Sequence, residues 1–267
     1  MTEMKASQAL VKELENWGID HVYGIPADSI IDGFAPEQAS VNYIQVRHEE
    51  VGALAAAAET KLTGKIGVAL ASVGPGAVHL LYGMVDAKMD HTPMLLIMST
   101  VATSMINTRF IQDMDEDELF ASLDTFHEQI SNPQQIPDTI RRAITAAYET
   151  QSPSVVIIPD NLASKTINYT PVPVQHIQQQ KGSGTREQVY ETINLIKSAQ
   201  RPVMVVGTGI RTQRLPWLVF PKNLGYLSFP LRRLPGWCQV ILKISWALRV
   251  VSERNLRMKC CMLLTWS

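Results

Sequence analysis

Short apolar runs alternate along this chain with longer segments in which apolar residues recur at helical spacing. The apolar runs predict buried strands at residues 21–25, 42–46, 65–73, 93–98 and 154–159. The segments between them predict helices that start near residues 7 and 29 and that cover residues 49–62, 76–89 and 138–150. Strands and helices in this order predict an α/β fold, a doubly wound parallel sheet with helices on both faces.

A stretch rich in glutamine and proline, residues 171–184, ends this alternating pattern and predicts a linker. Beyond it, residues 185–198 predict a helix and residues 202–206 a strand. That strand meets Gly207-Thr208-Gly209, a turn that would open a second α/β domain. We therefore predict a first domain over residues 1–170 and the beginning of a second one at residues 185–210, which has no recognisable continuation.

The residue composition changes abruptly at Arg211. From there to the last residue the chain has ten lysines and arginines and a single acid, Glu253, whereas the preceding part has 14 basic and 24 acidic residues. All three cysteines and four of the five tryptophans also lie in this tail, which lacks helical periodicity. We interpret residues 211–267 as an aberrant, disordered tail produced by a shift of reading frame. A genuine basic appendage is the alternative, and sequencing of the coding DNA would decide between them.

The formal net charge of −1 and the hydrophobic content of 46% fit one large or two ordinary globular domains. No apolar run reaches the roughly 20 residues of a transmembrane helix, and no secretory segment precedes the first helix. The first 210 residues contain no cysteine, so nothing there depends on disulfides. We expect a cytoplasmic protein that binds small molecules rather than nucleic acid or a membrane.

Three consecutive predicted strands end in loops of unusual composition. The first strand is followed by Gly24-Ile25-Pro26, the second by Glu49 and Glu50, and the third by Gly74-Pro75-Gly76. Ligands of open parallel sheets bind outside the carboxyl ends of the strands, where such loops converge. A carboxyl group at a strand–helix junction is partly dehydrated and can share a proton with a ligand nitrogen. The structural alternative is that both glutamates are first-turn acids favoured by the helix dipole.

Two other kinds of site find little support. A dinucleotide fingerprint, G-x-G-x-x-G, would need glycine where His79 stands, and the Gly207 turn has Thr212 at the same place. Cys260 and Cys261 are adjacent and far from any histidine, which does not match the ligand spacing of zinc sites. We therefore assign no metal ligand in this chain from the sequence.

Four segments, in this order, carry a resemblance to a known family: DHVYGIP, YIQVRHEEVGALAAAAETKLTGKIGVAL, GPGAVHLLYGMVDAKMDHTP and FIQDM. They resemble the pyrimidine-binding domain of thiamine-diphosphate enzymes, and most closely that of the pyruvate oxidases, over residues 5–210. Each segment alone is a weak signal, whereas the combination is specific.

The resemblance implies a role for Glu49 above all. The matching glutamate of the family hydrogen-bonds the pyrimidine ring of thiamine diphosphate and so assists formation of the nucleophilic carbon. His79 would lie near the substrate and handle protons, although a capping or core histidine is the alternative. Gln112 matches a glutamine that reaches the active site of the oxidases. Glu50 is expected to be structural.

The resemblance also implies that Pro26, Ser72, Gly74 and Gly76 form, with Glu49, the walls of the pyrimidine pocket. The chain departs from the family in two places. Ala27 follows Pro26 where the family usually has glycine, and alanine disfavours positive φ angles. Ile111 precedes Gln112 where the family has phenylalanine, which leaves the contacts to the substrate open.

Part of the family's machinery has no counterpart in this sequence. The Gly-Asp-Gly motif that supplies ligands to the diphosphate-bound Mg²⁺ does not occur, and the FAD-binding domain is lost after its first strand. Family active sites form between two subunits, so this chain would supply half of a site in a homo-oligomer. The whole enzyme would convert pyruvate and phosphate to acetyl phosphate, CO₂ and hydrogen peroxide. The alternatives are an acetolactate synthase, another 2-oxo acid decarboxylase, or a non-catalytic fragment that only associates with full-length subunits.

Overall fold

A computed structural model describes residues 2–26, 28–35, 40–121, 123, 125–174, 185–199, 203–206 and 240–243 of the chain. The backbone divides into two compact units, Met1–Gln180 and Lys181–Ser267. The described residues leave out most of the predicted linker, namely residues 175–184. They also leave out residues 207–239 and 244–267, which belong to the predicted turn and tail. The domain boundaries and the frameshift therefore stay predictions.

The first unit alternates strands and helices. Its strands are β1 (Thr2–Lys5), β2 (His21–Gly24), β3 (Asn42–Gln45), β4 (Gly67–Ala71), β5 (Met94–Thr100), β6 (Phe126–Gln129), β7 (Pro153–Pro159) and β8 (Thr166–Tyr169). Its helices are α1 (Ala6–Asn16), α2 (Glu49–Thr63), α3 (Pro75–Met89), α4 (Glu116–Ala121), α5 (Ile136–Thr150) and α6 (Asp160–Ala163), with 3₁₀ helices at Asp28–Phe34 and Pro133–Gln135. No helix in the described part of the chain is both long and apolar enough to cross a membrane.

Six of these strands form one sheet in the order β3-β2-β4-β5-β7-β6, and every neighbouring pair is parallel. The predicted doubly wound α/β fold is thereby confirmed. Because β3 and β4 lie on opposite sides of β2, the chain changes its direction of winding between β2 and β4. Such a switch point opens a crevice at the carboxyl ends of the strands. The remaining strands of this unit, β1 and β8, pair antiparallel with each other.

The sheet is covered on both faces, which explains its apolar strands. On β4, Val68 and Leu70 face a core shared with α1 and α5, whereas Ala69 and Ala71 face a second core shared with α2 and α3. All seven residues of β5 are buried. A strand buried on both faces needs apolar residues at successive positions, and this is the pattern from which β4, β5 and β7 were predicted.

Small residues at the contacts of α2 with β4 and with α3 permit close approach of these elements. A methyl group placed on Gly67 would lie 1.9 Å from the carbonyl oxygen of Ala56, so β4 starts directly against α2. A methyl group on Gly83 of α3 would lie 2.5 Å from Cβ of Ala53 on α2. The two helices therefore contact each other almost backbone to backbone.

The structure differs from the sequence prediction at several elements. The segment from Ser29 forms a 3₁₀ helix over Asp28–Phe34 rather than an α-helix. The edge strand β6 was not predicted, because its four residues are all half-buried and three of them, His127, Glu128 and Gln129, are polar. The β1–β8 pair was not predicted either, since both strands are short and contain few apolar residues.

The second unit contains α7 (Arg186–Ser198), β9 (Val203–Val206) and β10 (Val240–Lys243) in its described part. The helix and β9 coincide with the elements predicted at residues 185–198 and 202–206. Thr185 caps α7: its hydroxyl accepts a hydrogen bond from the backbone N–H of Gln188. The strands β9 and β10 pair antiparallel.

Candidate active site

The three loops singled out in the sequence lie side by side, because β3, β2 and β4 are neighbours in the sheet. Pro26 follows β2, Glu49 follows β3, and Gly74 and Gly76 follow β4. They therefore meet at the carboxyl ends of adjacent strands, at the switch point of the sheet.

Glu49 is the first residue of α2 and is nearly buried, with 6% of its surface exposed. Its Oε2 lies 2.8 Å from Nδ1 of His79, which is on the first part of α3. Because an ionised carboxylate only accepts hydrogen bonds, Nδ1 is the donor of this pair when Glu49 is ionised. The pair joins the N-terminal turns of two helices whose first residues are 26 positions apart.

Gly76 makes room for the carboxyl group of Glu49. A methyl group on Gly76 would lie 2.9 Å from Oγ of Ser72 and 3.1 Å from Oε1 of Glu49. The first of these separations requires the neighbouring atom to shift, and the second is tighter than ordinary contact. Ser72, Gly76 and Glu49 thus lie in one cluster.

A cavity of about 310 Å³ lies beside this cluster. It is lined by Gly74, Pro75, Val78, His79, Gln112, Asp113 and Met114. His79 is therefore both a wall of the cavity and the hydrogen-bond partner of Glu49. Pro26 is exposed on the β2 loop and is not among these lining residues.

Gly74 and Gln112 pack against each other at the edge of the cavity. Both have a left-handed backbone, with φ of 64° at Gly74 and 65° at Gln112. A methyl group on Gly74 would lie 2.8 Å from the carbonyl oxygen of Gln112. Position 74 consequently requires glycine for both its φ angle and its close contact, and Gln112 is held in a conformation that costs a non-glycine residue free energy.

Glu116 is a buried acid that supports this edge and that the sequence analysis missed. It is 2% exposed, and its carboxylate accepts hydrogen bonds from the Thr100 hydroxyl at 2.9 Å and from the backbone N–H of Gly74 at 3.4 Å. Burial raises the pKa of Glu116 above its usual value. It lies in the acidic run of residues 113–118, where nothing in the sequence distinguishes the buried acid from the exposed ones.

Two more groups surround Glu49. The His48 ring stacks on the His79 ring, with centroids 4.2 Å apart and an angle of 29°. The hydroxyl of Tyr43, on β3, has no hydrogen-bond partner among the described residues. Burial, followed by the negative charge of Glu49, raises the pKa of Tyr43, so its hydroxyl stays protonated. Glu50 is half-buried and its carboxylate lies 3.8 Å from Nδ1 of His48.

Residues 4–119 match the family described as thiamine pyrophosphate enzyme, N-terminal TPP binding domain. This chain carries the N-terminal domain of the thiamine pyrophosphate enzymes. The match spans β2, β3 and β4 and includes every predicted site residue, from Pro26 to Gln112. The family inferred from the four sequence segments is thereby confirmed.

Curated relatives extend the similarity beyond this domain. A putative thiamine pyrophosphate-containing protein of Bacillus subtilis is 38% identical over 224 residues, which cover 82% of this chain and 39% of the relative. A pyruvate oxidase of Lactiplantibacillus plantarum is 38% identical over 225 residues, 79% of this chain and 36% of the relative. An acetolactate synthase large subunit of Corynebacterium glutamicum is 28% identical over 212 residues, which cover 78% of this chain and 34% of the relative. The chain thus spans less than half the length of the relatives it matches.

Proposed function

We propose that this chain supplies the aminopyrimidine-binding half of a thiamine-diphosphate active site in a pyruvate oxidase. The observation that carries the proposal is the buried carboxylate of Glu49, paired with His79 beside a cavity at the switch point of the sheet. The family match supports the cofactor, and the relative named as a pyruvate oxidase supports the reaction.

The residues at the site fit the aminopyrimidine. A ring nitrogen that shares a proton needs a dehydrated carboxylate as its partner, and Glu49 is 6% exposed. Gly76 leaves free the space next to Oε1 that a side chain would fill. Ser72 and Gly74 complete the wall on this side. Pro26 is assigned to the proposed pocket only because it lies on the adjacent loop, after β2.

Three of the chain's own side chains would then act on the bound molecules. Glu49 accepts a hydrogen bond from the pyrimidine ring and fixes its protonation state, while His79 orients the carboxylate and presents its ring to the cavity. Gln112, held beside Gly74, is the group we expect nearest the substrate. When bound, thiamine diphosphate supplies the nucleophilic carbon and the electron sink that decarboxylation of a 2-oxo acid requires.

The other cofactors belong to polypeptide outside this chain. The Mg²⁺ that holds the diphosphate needs oxygen ligands of the kind found in the Gly-Asp-Gly motif, which this sequence does not contain. We propose that FAD likewise binds to the continuation of the second domain. The absence of cysteine before residue 211 supports a cytoplasmic location for the enzyme.

Substitution of Glu49 by glutamine in a full-length protein containing this chain tests the proposal. We expect pyruvate turnover to fall by about 100-fold or more, because a neutral amide cannot hold the proton of the pyrimidine ring. Glu50→Gln is the matched control: the same chemical change at the next residue, whose carboxylate lies 3.8 Å from Nδ1 of His48, should leave turnover within a few-fold. Unchanged turnover in Glu49→Gln would overturn the assignment.

Acetolactate synthase is the second candidate reaction, supported by the relative from Corynebacterium glutamicum. The products separate the two. A pyruvate oxidase releases acetyl phosphate and hydrogen peroxide in the presence of phosphate and oxygen, whereas a synthase releases acetolactate. Formation of acetolactate without peroxide would replace the first candidate by the second.

The chain by itself is expected to be a non-catalytic fragment. With thiamine diphosphate and Mg²⁺ added, calorimetry should detect no binding tighter than about millimolar, because the diphosphate has no ligands here. Pyruvate-dependent peroxide formation by the purified 267-residue chain would contradict this expectation.

A homo-oligomer is part of the proposal, and exposed apolar side chains on α2 and α3 support it. They are Val51, Leu62, Tyr82, Val85 and Met89, of which Met89 is 73% and Tyr82 65% exposed. A second copy of the chain is the proposed occupant. Tyr82→Asp should shift the sedimentation coefficient toward that of a monomer, whereas Tyr190→Asp, at an exposed tyrosine of α7, should not. A monomeric parent chain would remove this part of the proposal.

A further inference from the structure

The ring stack of His48 on His79 brings a second imidazole next to Glu49. One ring nitrogen from each of these two histidines and one carboxylate oxygen of Glu49 all lie within 4.8 Å of one another. The cluster draws its ligands from the N-terminal ends of two helices: His48 and Glu49 begin α2, and His79 lies on α3. The sequence analysis missed it because the two histidines are 31 positions apart.

We propose that His48, Glu49 and His79 form a binding site for a divalent transition-metal ion of the zinc class. Two imidazoles and one carboxylate are a ligand set that zinc uses in open sites, with a further position left for water. Imidazole nitrogens favour zinc, copper and nickel, whereas Mg²⁺ favours oxygen ligands. This inference goes beyond the proposed function, since it concerns an ion that binds to the chain without any organic cofactor.

The movement needed to close the site around an ion is small. Ligand atoms that each lie about 2.0–2.1 Å from a tetrahedral zinc ion are roughly 3.3 Å from one another. Nδ1 of His79 and Oε2 of Glu49 are already 2.8 Å apart. The His48 side chain is 46% exposed, so its ring can turn toward the ion once it gives up its stack on the His79 ring.

The buried carboxylate of Glu49 is the reason to place the metal ion at this cluster rather than at another histidine of the chain. Glu49 provides a carboxylate with 8% of its side chain exposed, and the two rings beside it provide nitrogen ligands. The ion would replace the hydrogen between Nδ1 of His79 and Glu49, and the ring would then carry its hydrogen on Nε2. An ion and an aminopyrimidine would therefore compete for the same carboxylate, and the chain would exchange one for the other rather than bind both.

Titration of the full 267-residue chain with Co²⁺, followed by visible absorption, tests the inference. The chain carries Cys238→Ser, Cys260→Ser and Cys261→Ser in every sample, because thiolates of the tail would bind the same ions. We expect one Co²⁺ to bind with visible ligand-field bands, Zn²⁺ to displace it, and Mg²⁺ not to displace it. Absence of these bands, or displacement by Mg²⁺, would overturn the proposal.

Variants locate the site. His48→Ala and His79→Ala should each weaken Co²⁺ binding by at least about tenfold, since even groups that only orient a metal ligand commonly contribute about 10–100-fold. His91→Asn is the matched control: it removes an exposed histidine from outside the cluster, and asparagine tolerates the left-handed backbone at φ 51°. Unchanged affinity in both site variants would overturn the assignment.

Far-UV circular dichroism checks folding, and the exposed His48 provides a test even if His79→Ala unfolds the chain. The readout is metal binding, so it is independent of whether the proposed enzyme activity holds.

Discussion

The buried carboxylate of Glu13 offers a direct test of what stabilises the first unit. Glu13 lies on α1 with its side chain fully buried. Its Oε2 accepts a hydrogen bond from the Tyr169 hydroxyl of β8 at 2.9 Å, and its Oε1 accepts from Nε1 of Trp17 at 3.2 Å and from Nε of Arg141 on α5 at 3.3 Å. One carboxylate therefore joins three elements that are distant in sequence.

These contacts determine how much stability each substitution should remove. Glu13→Ala removes the charge that faces Arg141 and leaves three donors without their acceptor, and loss of one member of a buried ion pair costs about 3–5 kcal/mol. Tyr169→Phe removes a single hydrogen bond to a charged group, which costs about 1.5–3 kcal/mol. Both changes break the same bond, so the double variant should be less destabilised than the sum by about 0.5–3 kcal/mol.

Urea unfolding followed by far-UV circular dichroism measures these differences as changes in the free energy of unfolding. Glu3→Ala is the matched control, the same substitution at an exposed position of β1, and should change stability by no more than about 0.5 kcal/mol. If Glu13→Ala were no more destabilising than Glu3→Ala, or if the two changes at Glu13 and Tyr169 were fully additive, the reasoning from the buried network would be wrong.

Three further predictions concern packing and ionisation. Gly83→Ala should destabilise the chain by about 1–3 kcal/mol in urea unfolding, because the added methyl would overlap Ala53; a neutral effect would contradict the close packing of α2 and α3. Burial raises the pKa of Glu116 above 4.5 in the folded chain. Its favourable contribution to the free energy of unfolding is therefore complete below pH 4.5 and is lost as the pH rises through the folded-state pKa. The stability of Glu116→Gln relative to the parent chain should therefore increase between pH 4.5 and 7, and a constant difference in thermal unfolding would contradict this. Burial and Glu13 raise the pKa of Tyr169 above 10, so stability should fall above pH 10, and Tyr169→Phe should show a shallower fall in alkaline denaturation than the parent chain.

The sequence predicted the strands that are covered on both faces and missed those at the edges. β5 is buried at every residue, so its apolar run is continuous and visible. β6 is half-buried at every residue and contains His127 and Glu128, so it shows neither a continuous apolar run nor strict alternation. Its pairing with β7 depends on a neighbour about 27 residues away, which a local pattern does not contain.

The sequence pointed to individual residues of the candidate site, but it did not predict which of them contact each other. Glycine turns and the acid at residue 49 stand out because their residue types are unusual after an apolar strand. The contact of Glu49 with His79 depends on how α2 packs on α3, and the stack of His48 on His79 depends on the same packing. Glu116 could not be singled out, because burial distinguishes it from its acidic neighbours and composition does not.

The small residues of α2 and α3 explain why these groups meet. Gly83 lies against Ala53, and Gly76 lies beneath the carboxyl group of Glu49, so no side chain keeps the helices or their first turns apart. With larger residues at either glycine, α3 would move outward and the separation of 2.8 Å between Nδ1 of His79 and Oε2 of Glu49 would widen. The alanines and glycines that give α2 its weak amphipathic pattern are therefore the residues that bring an imidazole to a buried carboxylate. A substitution that fills this interface should therefore change the ligand-binding properties of Glu49 without altering that residue itself.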